Sequence, residues 1–474
     1  MHYKVYSKNP SSNFIDIEVV VSNIATETIE LQLPAWRPGR YELQHFAKNI
    51  QRFEVFDNQG NKLKVKKITK DRWLVETAGA SEVIAKYNYY ANVINAGSSY
   101  VDENLLYVNP VNLCLYAEGR LEEACYLSVA TAAPNPSPNG QGLESPISPK
   151  WADGFYHFKD FHHLVDSPFV ISSTAQHDSY FVGETEFHLW FYGNIKLDFE
   201  RIKADFRRFT EAQIEIFGEF PEPDYHFITI VLPTPYYHGV EHRNSTMMVL
   251  GPDNQDFEEF YIDLLGLASH ELFHAWNICK IRPKELLPYD YTKENYFETC
   301  FVAEGVTTYY GDLMLSRSGV FDKKQYLKEL EVCYRRHFEQ AGNAFQSLTE
   351  SSYDLWLDGY VAGIPDRKVS VYQKGAIAAQ ILDLFIQKQT NQQKSLDDVM
   401  RLLWQRFGKP FIGYSYEDYK EICEEVAGVS LDWYFDVCIR GNDSLEEMFN
   451  EYLELIDLQI VRDENNLIKL IFQP

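Results

Sequence analysis

The spacing of apolar residues changes along the chain, and this change constrains the fold more than any other feature of the sequence. In the first third, apolar and polar residues alternate, as from Ile15 to Val21, which is typical of β-strands. From about residue 173 the pattern is mixed, with FHLWFYG and FITIVLP as predicted strands and Asp256 to Asn277 as a predicted helical stretch. Beyond Phe301, apolar residues recur at three- and four-residue steps almost to the end, which predicts helices.

This order of elements predicts a multidomain α+β fold. A chain of 474 residues is too long for a single core of ordinary size. We predict an N-terminal β domain over residues 1–172, an α/β domain over 173–330, a helical domain over 331–445 and a short β-like tail over 446–474. The proline-rich stretch PNPSPNGQG is expected to form a loop near the end of the first domain.

The charge of the chain narrows the range of its partners. Its 44 Lys and Arg residues stand against 69 Asp and Glu residues, a net charge of −25. With no long basic run in the sequence, nucleic acid and anionic membranes are poor partners. No apolar run reaches the length needed to span a membrane. An acidic surface favours cationic ligands, although it also serves solubility in general.

The cysteines and the N-terminal residues indicate the cellular compartment in which the protein is expected. Seven scattered cysteines, with no CxxC pair, are typical of reduced thiols and not of a disulfide framework. The first residues, MHYKVYSKNPSSNFIDIEVVV, lack the features of a signal peptide. We therefore expect a soluble cytoplasmic protein, with a signal removed before residue 1 as the alternative.

The stretch LASHELFHAWN contains the pattern H-E-x-x-H. On a helix, His270 and His274 project from the same face, with Glu271 beside the first of them. Two such imidazoles supply two ligands to a hydrolytic zinc site, and the glutamate can act as general base on the metal-bound water. Because the pattern occurs by chance in roughly a few per cent of chains of this length, a third ligand is needed. Trp276 and Asn277 are expected to pack and cap the end of this helix.

Three glutamates follow as candidates for the third ligand. Glu294 and Glu298 lie in YDYTKENYFETC, which has no clear helical period, whereas Glu304 opens the amphipathic segment AEGVTTYYGDLML. We favour Glu304, because a second helix can pack its carboxylate against the first. The alternative is that Glu304 only begins a helix, where a carboxylate interacts well with the helix dipole.

Two further segments resemble parts of zinc aminopeptidases. YYHGVEHRNSTMM places Glu241 on a predicted strand before the HELFH segment, similar to the strand whose carboxylate pairs with the free α-amine of the peptide. SVYQKGAIAAQ resembles the Y-x-K-G-A motif, in which the tyrosine, here Tyr372, stabilises the oxyanion by hydrogen bonding. Taken alone, each has an ordinary explanation, a solvated glutamate on a strand and a packed tyrosine at a helix start.

Together these segments identify the chain as similar to the glycyl aminopeptidase family of gluzincin metallopeptidases. The resemblance extends over most of the length, through LPAWRPGRYELQHFAKNI, GVEHRNST, SHELFHAWNICKIRPKELLPYDY, FVAEGVTTYYGDLMLSRSG and VYQKGA. It implies an N-terminal β domain, a thermolysin-like catalytic domain and a C-terminal helical domain, with the active site between them. It also implies one Zn²⁺ per chain and, as substrates, peptides with a free N-terminus.

The resemblance assigns roles to six residues. The metal ligands would be His270, His274 and Glu304, the general base Glu271, the oxyanion donor Tyr372 and the amine anchor Glu241. Further candidate substrate-binding residues are Gly239, His242 and Arg243, although Arg243 has the alternative of pairing with a structural carboxylate.

The sequence departs from the family pattern at two points. The family commonly carries a PDZ-like domain after the helical part, which we expect to be absent here because the sequence ends shortly after the β-like tail. His238-Gly239 stands where the family often has two glycines, so strict glycine preference is not implied. Two functional alternatives remain open: an endopeptidase on the same scaffold, and a non-catalytic peptide-binding protein.

Overall fold

The computed structural model of the chain describes residues 1–131, 154–172 and 174–473. The stretch PNPSPNGQG lies outside these residues, so its loop stays a prediction. In the part of the chain that is described, no helix has both the length and the apolar composition needed to cross a membrane.

Three sheets build the N-terminal region. The six-stranded sheet has the order Tyr156–Phe158, Cys125–Thr131, His2–Ser7, Phe14–Ser22, Glu82–Tyr90, Ile50–Asp57. The second sheet has the order Tyr116–Ala117, Thr28–Gln32, Arg72–Glu76, Lys64–Thr69, and the third Phe169–Ser172, Leu105–Val108, Tyr100–Val101. Strand Phe14–Ser22 alternates buried and half-buried residues, as its sequence predicts. All three sheets contribute to one hydrophobic cluster.

A five-stranded mixed sheet follows, in the order Gln176–Val182, Thr185–Tyr192, Asp224–Val231, Ser245–Gly251, Tyr236–His242. Its three inner strands are parallel. The last strand, Tyr236–His242, pairs antiparallel with Ser245–Gly251 and forms one side of the sheet; we call it the edge strand. Its outer side has no neighbouring strand among the described residues, which leaves backbone groups available to an extended peptide.

Helices occupy most of the remaining chain. The longer ones span Phe199–Phe217, Phe257–Phe273, Thr307–Arg317, Lys323–Phe338, Gln373–Gln389, Leu396–Leu403, Tyr416–Ala427 and Glu446–Leu453. Shorter helices span Phe161–Val165, Leu348–Tyr353, Leu355–Asp358 and Asp432–Tyr434, and wider π turns span Phe301–Val306, Trp404–Gly408 and Phe435–Ile439. The chain then forms a hairpin of Leu458–Arg462 and Ile468–Phe472.

The predicted fold class is confirmed: an N-terminal β domain, mixed sheets and a helical C-terminal region. One hydrophobic cluster runs from Tyr180 on the five-stranded sheet, through the helices, to Ile468 in the hairpin. The interiors of the segments 173–330 and 331–445 are therefore continuous. The exact bounds of the four predicted segments stay a prediction.

A segment of the N-terminal region reaches the helical part directly. The indole N–H of Trp36 donates to the carbonyl of Asp290 at 2.8 Å, and the N–H of Ala35 donates to the carbonyl of Tyr291 at 2.8 Å. A few residues later, the N–H of Tyr41 donates to the hydroxyl of Tyr360 at 3.0 Å. These bonds hold residues 35–41 against the segments around residues 290 and 360.

Candidate metal centre and active site

The helix Phe257–Phe273, called the HELFH helix below, runs through the interior of the protein. It begins where the Asp256 carboxylate accepts a hydrogen bond from the Glu258 N–H. Most of its residues are buried, as expected for a helix enclosed on several sides. The regular helix ends at Phe273, earlier than the predicted Asn277, and His274 continues in a turn with helical backbone angles.

A second helix, Thr307–Arg317, packs closely on the HELFH helix. A Cβ atom at Gly311 would lie only 3.3 Å from the Cα atom of His270, so glycine permits the close approach. The hydroxyl of Ser269 donates to the carbonyl of Gly311 at 2.7 Å and joins the two helices. This packing carries Glu304, which lies just before the second helix, to the histidines.

The structure brings His270, His274 and Glu304 together. The two Nε2 atoms lie 3.1 Å apart. The Oε2 atom of Glu304 lies 3.4 Å from Nε2 of His274 and 3.9 Å from Nε2 of His270. Glu294 and Glu298, the other candidates for a third ligand, are partly or fully exposed and outside this cluster.

These distances fit a tetrahedral metal ion. Zinc bonds of about 2.0–2.2 Å to nitrogen and oxygen place neighbouring ligands about 3.3–3.6 Å apart. Two imidazoles and one carboxylate also match the ligand chemistry that zinc prefers. Burial lowers the pKa of His274, but the hydrogen bond to Glu304 and the charges of Glu304, Glu241 and Glu271 raise it overall to about 10. The surrounding carboxylates therefore favour a positive charge at this point.

Asn277 orients one of the histidines. Its carbonyl oxygen lies 2.7 Å from Nδ1 of His274, which places the ring proton on Nδ1 and leaves the Nε2 lone pair for a metal. Its side-chain amide donates to the carbonyl of Val302 at 2.8 Å and to the hydroxyl of Thr307 at 3.1 Å. Asn277 therefore connects the end of the HELFH helix to the segment that contains Glu304.

Glu304 lies in the π turn Phe301–Val306, directly before the second helix. A Cβ atom at Gly305 would lie 2.5 Å from the Cα atom of Gly375, so the two backbones touch. Gly375 belongs to the motif that carries Tyr372, and this contact brings that tyrosine to the pocket that holds Glu304. Burial, and then the charge of Glu304, raise the pKa of Tyr372 well above its usual value, so its hydroxyl stays protonated.

Glu271 is 4% exposed and faces the edge strand. A Cβ atom at Gly239 would lie 2.1 Å from Oε1 of Glu271, and the hydroxyl of Thr246 donates to Oε2 at 3.5 Å. Burial raises the pKa of Glu271 to about 8, with the nearby Glu241 and Glu304 also raising it and His274 lowering it. A carboxylate with this proton affinity suits a group that accepts and returns a proton.

Glu241 lies at the opposite end of the edge strand from Tyr236. Its carboxylate is buried, and a Cβ atom at Gly39 would lie 2.6 Å from Oε2. Gly39 has φ +75°, a left-handed backbone that glycine adopts without strain. A turn of the N-terminal region therefore rests against the Glu241 carboxylate. Burial raises the pKa of Glu241.

A pocket of about 330 Å³ collects most of the predicted site. Its walls include seven of the nine residues: Gly239, Glu241, His270, Glu271, His274, Glu304 and Tyr372.

Known proteins resemble this chain in sequence and in fold. The sequence profile of the M61 glycyl aminopeptidases matches residues 263–378, and the profile of the M61 N-terminal domain matches residues 2–173. The crystal structure of an aminopeptidase N family protein from Idiomarina loihiensis is 30% identical, with a TM-score of 0.90 over 100% of this chain and 82% of that one. The chain belongs to the M61 glycyl aminopeptidase family.

More distant structures share the fold of this M61 family member. An M1 zinc metallopeptidase from Deinococcus radiodurans is 12% identical, with a TM-score of 0.55 over 94% of both chains. A mutant of that enzyme, in a structure with a Tyr-Ser-Ala substrate, is 13% identical, with a TM-score of 0.53. No curated protein gives a significant match.

Two predicted substrate-binding residues of this M61 family member lie elsewhere. Nδ1 of His242 lies 2.9 Å from Asp166, and Arg243 forms an ion pair with Glu222 at 2.7 Å. Both line a different cavity. For Arg243 the structure matches the alternative noted from the sequence, a pair with a structural carboxylate.

Sequence reasoning assigned no role to several residues of this pocket. Gly39 belongs to LPAWRPGRY, a segment that signalled only the family resemblance. The pocket is also lined by Asp312, Glu329 and Arg336. These three lie in ordinary amphipathic helices, and no local pattern in the sequence singles them out.

Proposed function

We propose that this M61 family member is a zinc-dependent aminopeptidase with one Zn²⁺ per chain. It releases single residues, glycine or other small residues, from peptides with a free N-terminus. The observation that carries the proposal is the position of Glu241 at the closed end of the pocket. Its carboxylate lies within 4.8 Å of ligand atoms of Glu271 and His274, and the turn at Gly39 rests against it.

This geometry favours an exopeptidase over an endopeptidase. A peptide that pairs antiparallel with the edge strand places its amine at Glu241 and its first carbonyl near Glu271. An endopeptidase needs space for residues that precede the cleaved bond. Gly39 lies so close to the Glu241 carboxylate that even a methyl group there would collide with it, and we infer that this turn limits the space for such residues.

The proposed mechanism divides the chemistry among four groups. His270, His274 and Glu304 would hold the zinc ion, which would supply a Lewis acid for the scissile carbonyl and the attacking water. Glu271 takes a proton from that water and delivers it to the leaving amine. Tyr372, whose hydroxyl stays protonated, donates a hydrogen bond to the carbonyl oxygen as negative charge develops on it.

The Glu241 carboxylate selects peptides whose N-terminal amine is free. An ammonium group held at a buried carboxylate forms a charge-assisted hydrogen bond, and an acetylated N-terminus has no charge to offer. Binding at Glu241 also aligns the first peptide bond with Glu271, and such alignment lowers the barrier further.

His238, which stands where the family often has a glycine, bears on specificity. Its Nδ1 accepts a hydrogen bond from the N–H of Ala96 at 3.3 Å, which ties the imidazole to the N-terminal region at the rim of the pocket. We therefore propose that the enzyme also releases N-terminal residues other than glycine.

The decisive experiment uses two short peptides of the same sequence, one with a free N-terminus and one acetylated, with products followed by mass. We expect single N-terminal residues to be released from the free peptide only. A chelator is expected to abolish this release, and added zinc to restore it. Internal cleavage of both peptides would establish the endopeptidase, and no cleavage of either in the presence of zinc would favour the binding protein.

Two variants and one control test the assigned residues. Glu241→Gln should raise KM for the free peptide by about 10- to 100-fold, since a hydrogen bond to a charged group is worth about 1.5–3 kcal/mol. Glu304→Gln should lose zinc. The matched control is Glu298→Gln, a change at an exposed glutamate, which should leave zinc content and kcat/KM unchanged.

A further inference from the structure

A second cavity lies on the other side of the edge strand. Side chains of a strand alternate between its faces, so Glu241 faces the active-site pocket while His242 faces this second cavity. The second cavity has a volume of about 520 Å³ and is bounded by the N-terminal region and by residues that follow the HELFH helix. The two cavities have no lining residue in common.

Arg37 is the most unusual residue in the wall of this cavity. It is 2% exposed, and its Nε atom has no hydrogen-bond partner among the described residues. One hydrogen bond joins Nη1 to the carbonyl of Pro38 at 3.0 Å. Burial lowers the pKa of Arg37, and the Glu241 carboxylate offsets this only in part. No carboxylate of the described residues lies within ion-pair distance of Arg37, and a buried guanidinium in this situation is costly unless a ligand supplies the negative charge.

The backbone of Gly97 holds this guanidinium in place. A Cβ atom at Gly97 would lie 1.9 Å from Nε of Arg37, so the guanidinium lies directly against the glycine. Packing against this glycine and the hydrogen bond to Pro38 together fix the position of the guanidinium.

Other unpartnered polar atoms line the same cavity. Nε2 of His242 has no hydrogen-bond partner in the part of the chain that the structure describes, because the bond to Asp166 uses Nδ1. Both side-chain polar atoms of Asn109, a fully buried residue, likewise have no hydrogen-bond partner within residues 1–131, 154–172 and 174–473. Buried polar groups are nearly always satisfied in folded proteins, so these atoms indicate a polar occupant.

Arg282 adds a second guanidinium. It stacks over Tyr289, with 4.2 Å between Cζ and the ring centroid, and its hydrogen bonds go to the carbonyls of Ile278 and Cys279. No carboxylate of the described residues lies within ion-pair distance of it. Its charge, like that of Arg37, is therefore available to a ligand.

Asp166 and Asp160, two of the three carboxylates at this cavity, already have hydrogen-bond partners, and the third, the exposed Glu122, lies 3.7 Å from Nε2 of His162. Asp166 accepts from His242 and from the N–H of Arg243. Asp160 caps the short helix that follows it, by accepting from the N–H of His163. The cavity thus offers free positive groups in a chain whose net charge is −25.

We propose that this cavity binds a small anionic molecule through a carboxylate or phosphate group held by Arg37 and Arg282. His242 and Asn109 complete the polar wall. Planar guanidinium groups match the two oxygens of a carboxylate or phosphate. This site is separate from the proposed peptidase centre, and its occupancy does not require peptide hydrolysis.

The test is calorimetric titration of the full chain at low ionic strength, with inorganic phosphate in one arm and succinate in the other. We expect one site with a Kd of about 1 mM or tighter for at least one probe. Binding of phosphate alone identifies a phosphate ligand, and binding of succinate alone identifies a carboxylate ligand. The proposal is overturned if neither probe binds at about 10 mM.

Variants locate the binding. Arg282→Gln should weaken binding at least tenfold, in line with the loss of one charge-assisted hydrogen bond, and Arg37→Met should abolish it. If the buried Arg37 variant does not fold, Arg282→Gln decides alone. The matched control is Arg207→Gln, at an exposed arginine of helix Phe199–Phe217, which should bind normally.

An anion could also bind at the zinc site, so a separate control variant must exclude binding there. His270→Ala should retain binding. If binding is lost in His270→Ala and unchanged in Arg282→Gln, the anion sits on the metal and the proposal is wrong.

Discussion

The substitution Gly239→Ala adds a single methyl group next to Glu271 and thereby tests whether Glu271 is the general base. The edge strand passes so close to the HELFH helix that a Cβ atom at residue 239 would lie 2.1 Å from Oε1 of Glu271 and 2.8 Å from Cδ1 of Leu267. Cβ atoms essentially never approach other heavy atoms closer than 3.0 Å. Oε1 must therefore move by at least 3.0 − 2.1 = 0.9 Å.

The size of the effect follows from this displacement. A shift of about 1 Å in a group that acts on the substrate lowers the rate by about 100-fold, which corresponds to about 2.7 kcal/mol of activation free energy. The carboxylate is the far end of a flexible side chain, so the fold should tolerate the change. Neither Gly239 nor Glu271 belongs to the His270, His274 and Glu304 cluster, so zinc content should stay at one per chain.

The assay measures kcat on a free-amine peptide at saturation, together with zinc content by mass spectrometry and the unfolding temperature. Gly363→Ala is the matched control, because no atom lies within 4 Å of the Cβ position there and the residue has no positive φ. It should keep full activity. If Gly239→Ala folds, binds zinc and keeps more than about half of the wild-type kcat, the assignment of Glu271 as base is refuted.

Three further predictions concern the base, the histidine support and a buried lysine. Glu271→Gln should lower kcat by about 10²–10⁴-fold while retaining zinc, whereas His274→Ala should lose both; turnover by Glu271→Gln would contradict the mechanism. Asn277→Ala should lower zinc affinity by about 10- to 100-fold in a chelator competition, because it loosens the turn that orients His274; unchanged affinity would contradict this. Lys374 is fully buried, and burial lowers its pKa to about 8. Below pH 8 it is charged in both folded and unfolded states, and above pH 8 the folded state loses the proton first. The stability of the wild type relative to Lys374→Met should therefore rise by about 2 kcal/mol between pH 8 and pH 9.5 in denaturant unfolding, and a flat difference would refute the shift.

Local patterns anticipated the elements of this protein well. The strands FHLWFYG and FITIVLP and the helices KKQYLKELEVCYRRHF and KGAIAAQILDLFIQ form at or near the predicted positions. These segments have a clear period, and each buries one face or its whole length. The HELFH helix was predicted to reach Asn277 but leaves regular geometry after Phe273. The reason is tertiary, because the backbone turns there and Asn277 bonds to the Glu304 segment.

The exact backbone geometry around Glu304 also could not be predicted from a local sequence pattern. The sequence predicts an ordinary helix that opens at AEGVTTYY, whereas Glu304 lies in a wider π turn before it. Such turns recur at functional sites. The turn is accompanied by the contact of Gly305 with Gly375, a residue 70 positions later, and no single stretch of sequence contains both partners.

What the sequence by itself determined was the chemistry within each segment. Histidines four residues apart face one way on any helix, so two candidate ligands and a base were visible in five letters, and the change of period set the order of β, α/β and α regions. What only the tertiary structure decided was which distant segments meet. The turn at Gly39 reaches Glu241, and Arg37 lies unpaired beside the second cavity, because packing of the N-terminal region against residues 289–291 carries them there. Contacts between residues some 200 positions apart arise from how whole surfaces fit together, and no periodicity along the chain records that fit.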